Sequence, residues 1–113
     1  MTTLRVNGND VHFEDLEGVE IKQMQPFEVS KHKRSDKVIK MVLHESAGRS
    51  REGAERTLRR KGLGVHLLID KAGVLHQYND LALDRVTHAS RHNGNGIGVE
   101  IINPYYPENA AGS

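Results

Sequence analysis

Short runs of alternating apolar and polar residues lie on either side of an Asn-Gly pair in LRVNGNDVHFE, near the N-terminus. Asn-Gly favours positive φ at both central turn positions, so this pattern predicts a tight hairpin. From Leu16 to Arg34 the chain turns mixed and charged, with Pro26 and the cluster KHKRSDK, which reads as loop around at most one short strand. Val38 to Leu43 is a branched-aliphatic strand that runs straight into His44 and Glu45. Ser50 then precedes good helix formers in SREGAERTLRRK, with Ala54 and Leu58 as a thin apolar stripe and Gly62 and Gly64 as the stop. VHLLIDKAGVLHQY reads as two strands joined through Asp-Lys-Ala-Gly. A single turn over Asp80 to Asp84 and a short extended piece from Arg85 to Ala89 follow. GIGVEII, Gly96 to Ile102, is apolar except for Glu100, the pattern of a strand covered on both faces.

Strand, helix, strand, strand, strand predicts an α/β fold with a single mixed central β-sheet and flanking helices. At 113 residues the chain is one compact domain, read as an N-terminal hairpin and loop segment over 1–36 and an α/β core over 37–113. Sixteen Lys and Arg against fifteen Asp and Glu leave a formal charge of +1, which argues against a nucleic-acid partner. The basic residues of the helix then read as a solvated face, since aromatic stacking partners are nearly absent. With no cysteine, disulfides, thiol nucleophiles and thiolate metal ligands are excluded, so any metal would be held by His and carboxylates. No signal peptide or membrane-spanning run is visible, which predicts cytoplasmic synthesis.

Two positions stand out chemically. His44 ends an apolar strand, where side chains project toward loops that bear function; taken alone, such a histidine is more often structural than a metal ligand. HESAG lacks the second His of H-E-x-x-H. Glu100 sits inside GIGVEII, where a carboxylate must be paired, protonated or open to a cavity, and both a general base and a cross-sheet ion pair satisfy that requirement. THASRHNGNG adds His88, His92, Asn93 and Asn95 on glycine-rich backbone that would let a polar ligand approach closely, or would serve only as a turn. His66 and His76, on the two arms of one hairpin, read as structural. No G-x-S-x-G elbow, P-loop or C-x-x-C occurs.

Taken in order, VLHES, GLGVHLLIDKAGVLHQY, THAS and NGNGIGVEIIN resemble the zinc-dependent, type-2 N-acetylmuramoyl-L-alanine amidase family, which includes phage lysozyme-type amidases and peptidoglycan recognition proteins. The resemblance covers about residues 38 to 103. It implies that His44 is the first Zn2+ ligand, that Glu100 helps polarise the attacking water, and that His88 and Asn93 touch substrate. His66 matches a family histidine that is not a metal ligand. The implied function is hydrolysis of the N-acetylmuramoyl-L-alanine bond of peptidoglycan, acting on the wall after release or as part of a virion. Two departures keep a second reading open, a non-catalytic peptidoglycan-binding or virion structural module. Val65 stands where many members carry a catalytic tyrosine. The family's second histidine, third ligand, helper lysine and a sheet-covering helix follow the Glu100 strand, whereas this sequence ends ten residues after Asn103. The resemblance therefore implies an incomplete ligand set and apolar sheet surface left for a missing C-terminal segment or a partner chain to cover.

Overall fold

The computed structural model describes residues 2–28, 31–34, 37–46, 50–87 and 95–103. Their elements, in order, are β1 (Thr3–Val6), β2 (Asn9–His12), a 3-10 turn at Glu14–Leu16, β3 (Ile21–Gln23), β4 (Lys31–Lys33), β5 (Lys40–Ser46), α1 (Arg51–Arg60), β6 (Leu67–Ile69), β7 (Leu75–Gln77), β8 (Asp84–Val86) and β9 (Gly96–Ile102). A five-stranded sheet in the order β3-β7-β6-β9-β5 forms the centre, with two small two-stranded sheets, β1-β2 and β4-β8. The central sheet is mixed: β5, β9 and β6 run parallel, β7 returns antiparallel to β6, and β3 lies parallel to β7.

Local chemistry accounts for most of these elements. Asn7 and Gly8 take φ of 56° and 79° at the tip of the first hairpin, the left-handed pair that an Asn-Gly turn supplies. The Ser50 hydroxyl accepts from the Gly53 N–H at 3.0 Å and caps α1, and Gly62, at φ 70°, follows its last turn. Two expectations shift. The stretch from Leu16 to Arg34 holds two short strands, because β3 finds an edge on β7 and β4 finds β8. β5 begins at Lys40, two residues later than the aliphatic run begins, because the ladder with β9 starts where Lys40 meets Gly96. Among the described residues a single α-helix flanks the sheet.

The two faces of the sheet are closed differently. On one, Leu68 and Ile102 pack with Ala54 of α1, Phe27, Val65, Tyr78 and Val86. Arg59 lies with its guanidinium carbon 4.5 Å from the Phe27 ring centroid, and the Tyr78 hydroxyl donates to Glu55, so the helix is pinned by apolar and charged contacts together. On the other face, Leu4 of the first hairpin joins Leu67, Leu75, Leu81 and Val99. Two buried polar side chains hold that hairpin down. Gln77 receives the Arg5 N–H and donates to the Arg5 carbonyl, while Asp80 accepts the N–H groups of Asn7 and Gly8 at 2.8 and 2.7 Å.

β9 is gripped at its glycines. The His66 N–H donates to the Gly98 carbonyl at 2.9 Å, and the Gly98 N–H donates to His66 Nδ1 at 3.0 Å. With Nδ1 acting as acceptor, Nε2 carries the proton and donates to the Asp84 carbonyl at 2.7 Å. Arg34 donates to the carbonyls of Asp84 and Gly96, tying β8 to the start of β9. Complete burial pushes the His66 imidazole down to about 4, and the Arg34 guanidinium adds to that, against the opposing Asp84 carbonyl bond.

Two predictions follow from these anchors. Burial alone would raise the Asp80 carboxyl, but the N–H groups of Leu83, Gly8, Asn7 and Ala82 outweigh it and hold it below the usual carboxylate range. Asp80→Ala is expected to lower the unfolding free energy by about 3 kcal/mol and to accelerate amide exchange at Leu4 and Val6 before the rest of the sheet. Uniform acceleration would instead show that the hairpin is held by Leu4 alone. His66 adds a pH window. The unfolded chain takes up a proton below about pH 6.5, the folded chain only near pH 4, so this contribution is whole above the window and lost as pH falls through it, by about 3 kcal/mol. Urea midpoints should therefore drop between about pH 7 and about pH 4.5, and drop less in His66→Gln. Equal drops in both proteins would contradict a neutral buried ring.

Candidate functional site

The β5–β9 ladder sets His44 opposite Glu100, and the same transverse row continues through Leu68 on β6, His76 on β7 and Lys22 on β3. Residues opposite one another in a ladder project to the same face, and Leu68 packs on the α1 side. His44 and Glu100 therefore share the α1 face, with their backbones one strand spacing apart, about 4.8 Å. Both are half-buried, His44 because β5 is the outermost described strand and Glu100 because β5 and β6 flank it. An imidazole and a carboxylate so placed can address one ligand atom jointly, the first as donor or metal ligand and the second as proton acceptor.

The other sequence candidates fare differently. His88 and Asn93, expected at the substrate, and His92 lie outside the described residues. His66 is a structural histidine, fully buried against Gly98. Register sets Leu68 opposite His76, so the two hairpin histidines do not meet as a cross-strand pair. Val65 is 1% exposed within the core below α1, so its position offers no hydroxyl to a substrate.

The family resemblance implies zinc, and the donors among the described residues fall short of what it needs. A zinc site that performs hydrolysis takes three protein ligands and leaves one position open. Among the described residues no group of three His, Cys, Asp or Glu could hold a metal ion. His44 and Glu100 do not by themselves make a zinc site.

Sequence reasoning missed a second polar feature in the same row. The hairpin aspartate, Asp70, accepts from the Ala72 and Val74 N–H groups with Oδ1 and from His76 Nε2 with Oδ2 at 2.9 Å. Burial works to raise its carboxyl, but the bonds from His76 and from the Val74 and Ala72 N–H groups outweigh that and leave it below the ordinary value. The pair borders a cleft of about 350 Å³ between the N-terminus of α1 and the β6–β7 turn, rimmed by Lys22, Arg51 and Lys71. An Asp-x-x-Gly turn with His six residues after the Asp is the signal that would have revealed it, since the Asp must fold back over the turn to meet the ring.

Comparison with known proteins bears on this arrangement. No curated protein matches the chain. The fold is similar to that of Drosophila Peptidoglycan Recognition Protein (PGRP)-SA, with a TM-score of 0.56 at 18% identity, over 82% of this chain and 65% of that one. At that identity the likeness is one of fold, and this chain spans less than two thirds of that protein's length. The family model for N-acetylmuramoyl-L-alanine amidase matches residues 34–112, a span that holds β5, α1, the β6–β7 hairpin and β9 with the His44–Glu100 row. The chain belongs to the N-acetylmuramoyl-L-alanine amidase family.

Proposed function

We propose that the chain recognises peptidoglycan and hydrolyses the amide joining the lactyl group of N-acetylmuramic acid to the L-alanine of the stem peptide. One observation carries this reading: His44 and Glu100 stand side by side on one sheet face, in a chain whose family is defined by that bond. Glu100 is the proton acceptor for the attacking water. It stands half-buried on the α1 face, one strand spacing from His44, where a carboxylate can take the proton of a water held between them. His44 orients the reacting group from the open side, and the bulk of the muropeptide lies along the α1 face. Val65 offers no assisting hydroxyl, so the acid–base work falls to Glu100.

A second reading, recognition of peptidoglycan without cleavage, is favoured by the same Val65 and by the want of a three-donor metal cluster among the described residues. The two readings part on one experiment. Purified chain is incubated with insoluble peptidoglycan, with added zinc and separately with chelator; sedimented protein and newly exposed L-alanine amino groups are measured. Cleavage that falls by about 100-fold or more in Glu100→Gln, with sedimentation unchanged, is the expected result. Sedimentation without cleavage in the unmodified chain selects the binding module. Neither sedimentation nor cleavage would end the cell-wall reading.

A further inference from the structure

His76 is 4% exposed on β7, and one of its two ring nitrogens is left unsatisfied. Nε2 meets Asp70 Oδ2 at 2.9 Å, whereas Nδ1 is buried with no hydrogen-bond partner among the described residues. That costs stability in either proton state, because a neutral imidazole presents a lone pair there and an imidazolium an N–H. Asp70 is not free to turn and serve it, since Oδ1 already takes the Ala72 and Val74 N–H groups. The ring lines the cleft of about 350 Å³ on the α1 face, whose walls come from β3, the start of α1, the β6–β7 hairpin and the end of β9. Positive charge gathers around it. Lys22, Arg51 and Lys71 rim the cleft, and Arg51 is held in place by its bonds to Glu55 and the Tyr78 hydroxyl. Ser50 caps Gly53, so the N–H groups of Arg51 and Glu52 stay without an intrahelical partner at the helix end that borders the cleft. The acidic neighbours do not cancel this charge: Asp70 is committed to its turn and to His76, and the Glu52 side chain is 69% exposed and drawn to Arg51 at 3.7 Å.

We propose that this cleft binds a phosphate group, carried by a phosphomonoester or as the free anion. A phosphate satisfies Nδ1 in either proton state: a P–OH donates to the lone pair, or an oxygen accepts from the N–H. With a second pKa of about 6, phosphate holds both forms close to neutrality. Carboxylate and sulfate carry no proton there and suit the imidazolium alone, so the orphaned nitrogen selects among anions. The remaining phosphate oxygens accept from Lys22, Lys71 and the first N–H groups of α1, whose dipole favours negative charge at that end. Lys22 lies 3.6 Å from Glu20 with its side chain 56% exposed, a pairing in water that is readily exchanged for a phosphate. The volume leaves room for a sugar-sized group attached to the phosphate. His76 stands two strand spacings from Glu100, about 10 Å between backbones, so the cleft is a separate station on the same face. The assignment stands independently of the cell-wall reading and is tested without peptidoglycan.

The test is a titration of the nitrogen-15-labelled full chain, following amide and imidazole signals, with inorganic phosphate, N-acetylglucosamine 6-phosphate and sulfate at matched ionic strength. Saturable shifts centred on Arg51, Glu52, Lys71, Ala72 and His76 are expected, complete by about 10 mM phosphate, with sulfate weaker by about tenfold or more. Lys71→Ala, in an exposed turn, should weaken phosphate by about threefold or more and leave the spectrum elsewhere unchanged. His76→Gln should bring phosphate to within about twofold of sulfate, since the nitrogen that tells them apart is gone. Tighter binding of the sugar phosphate than of inorganic phosphate assigns the site to phosphorylated saccharides, and the reverse order assigns it to the free anion. Sulfate binding as tightly as phosphate in the parent chain overturns the proposal. So do shifts that fail to saturate or that ignore Lys71→Ala.

Discussion

The parallel ladder between β5 and β9 sets the positions on which the functional reading rests. Seven consecutive residue pairs fix its register, from Lys40 opposite Gly96 to Ser46 opposite Ile102. Because side chains alternate, a slip of one residue would turn His44 to the face opposite Glu100. Two features oppose such a slip. His66 and Arg34 bind the β9 backbone at Gly98 and Gly96, and Val99 and Ile102 must stay on opposite sides to fill separate clusters. Chemistry at the end of the strand is thus set by packing and hydrogen bonds several residues away, and His66, which makes no claim on a substrate, is part of what aims Glu100.

The sheet is closed by two very different devices, and the contrast explains where its surface stays open. α1 crosses one face and seats Ala54 over the strand ends, with Arg51, Glu55, Tyr78 and Arg59 forming a charge-assisted network at its side. The N-terminal hairpin covers the other face, reaching β6, β7 and β9 through Leu4 and fastening itself through Gln77 and Asp80. Neither device covers β5, so the strand that carries His44 is also the strand with the most exposed apolar surface.

Much of this was legible in the sequence, and the misses have physical causes. Asn7-Gly8, the Ser50 cap and the Gly96–Ile102 strand declared themselves because turn chemistry, capping and apolar continuity are local signals. β3 and β4 did not, because three-residue strands exist only through the edges they borrow from β7 and β8, which local composition cannot report. The start of β5 was misplaced for the same reason: Val38 and Ile39 have strand propensity, but the ladder begins where β9 begins. At the site, the pairing of His44 with Glu100 was expected from order along the chain and is a matter of register. Asp70 with His76 went unseen because a turn aspartate and a strand histidine look structural until folding brings them together.

Val65 clarifies what this member of the family can do. A hydroxyl-bearing ring at that place would need its polar tip in the cleft, whereas valine at 1% exposure makes the position part of the core beneath α1. The valine clusters with Leu68, Phe27 and Ala54 of the helix and brings no hydroxyl of its own. Recognition as proposed above needs no hydroxyl there, because a sheet face shaped by register and a helix wall does not depend on one. Turnover as proposed above is more exposed, since His44 and Glu100, the two groups side by side on β5 and β9, would have to supply both orientation and proton transfer. The proposed function thus separates two demands, a rigid row to place a glycopeptide and a small set of polar atoms to act on it; the register of β5 and β9 suits the first, and the second would rest on His44 and Glu100.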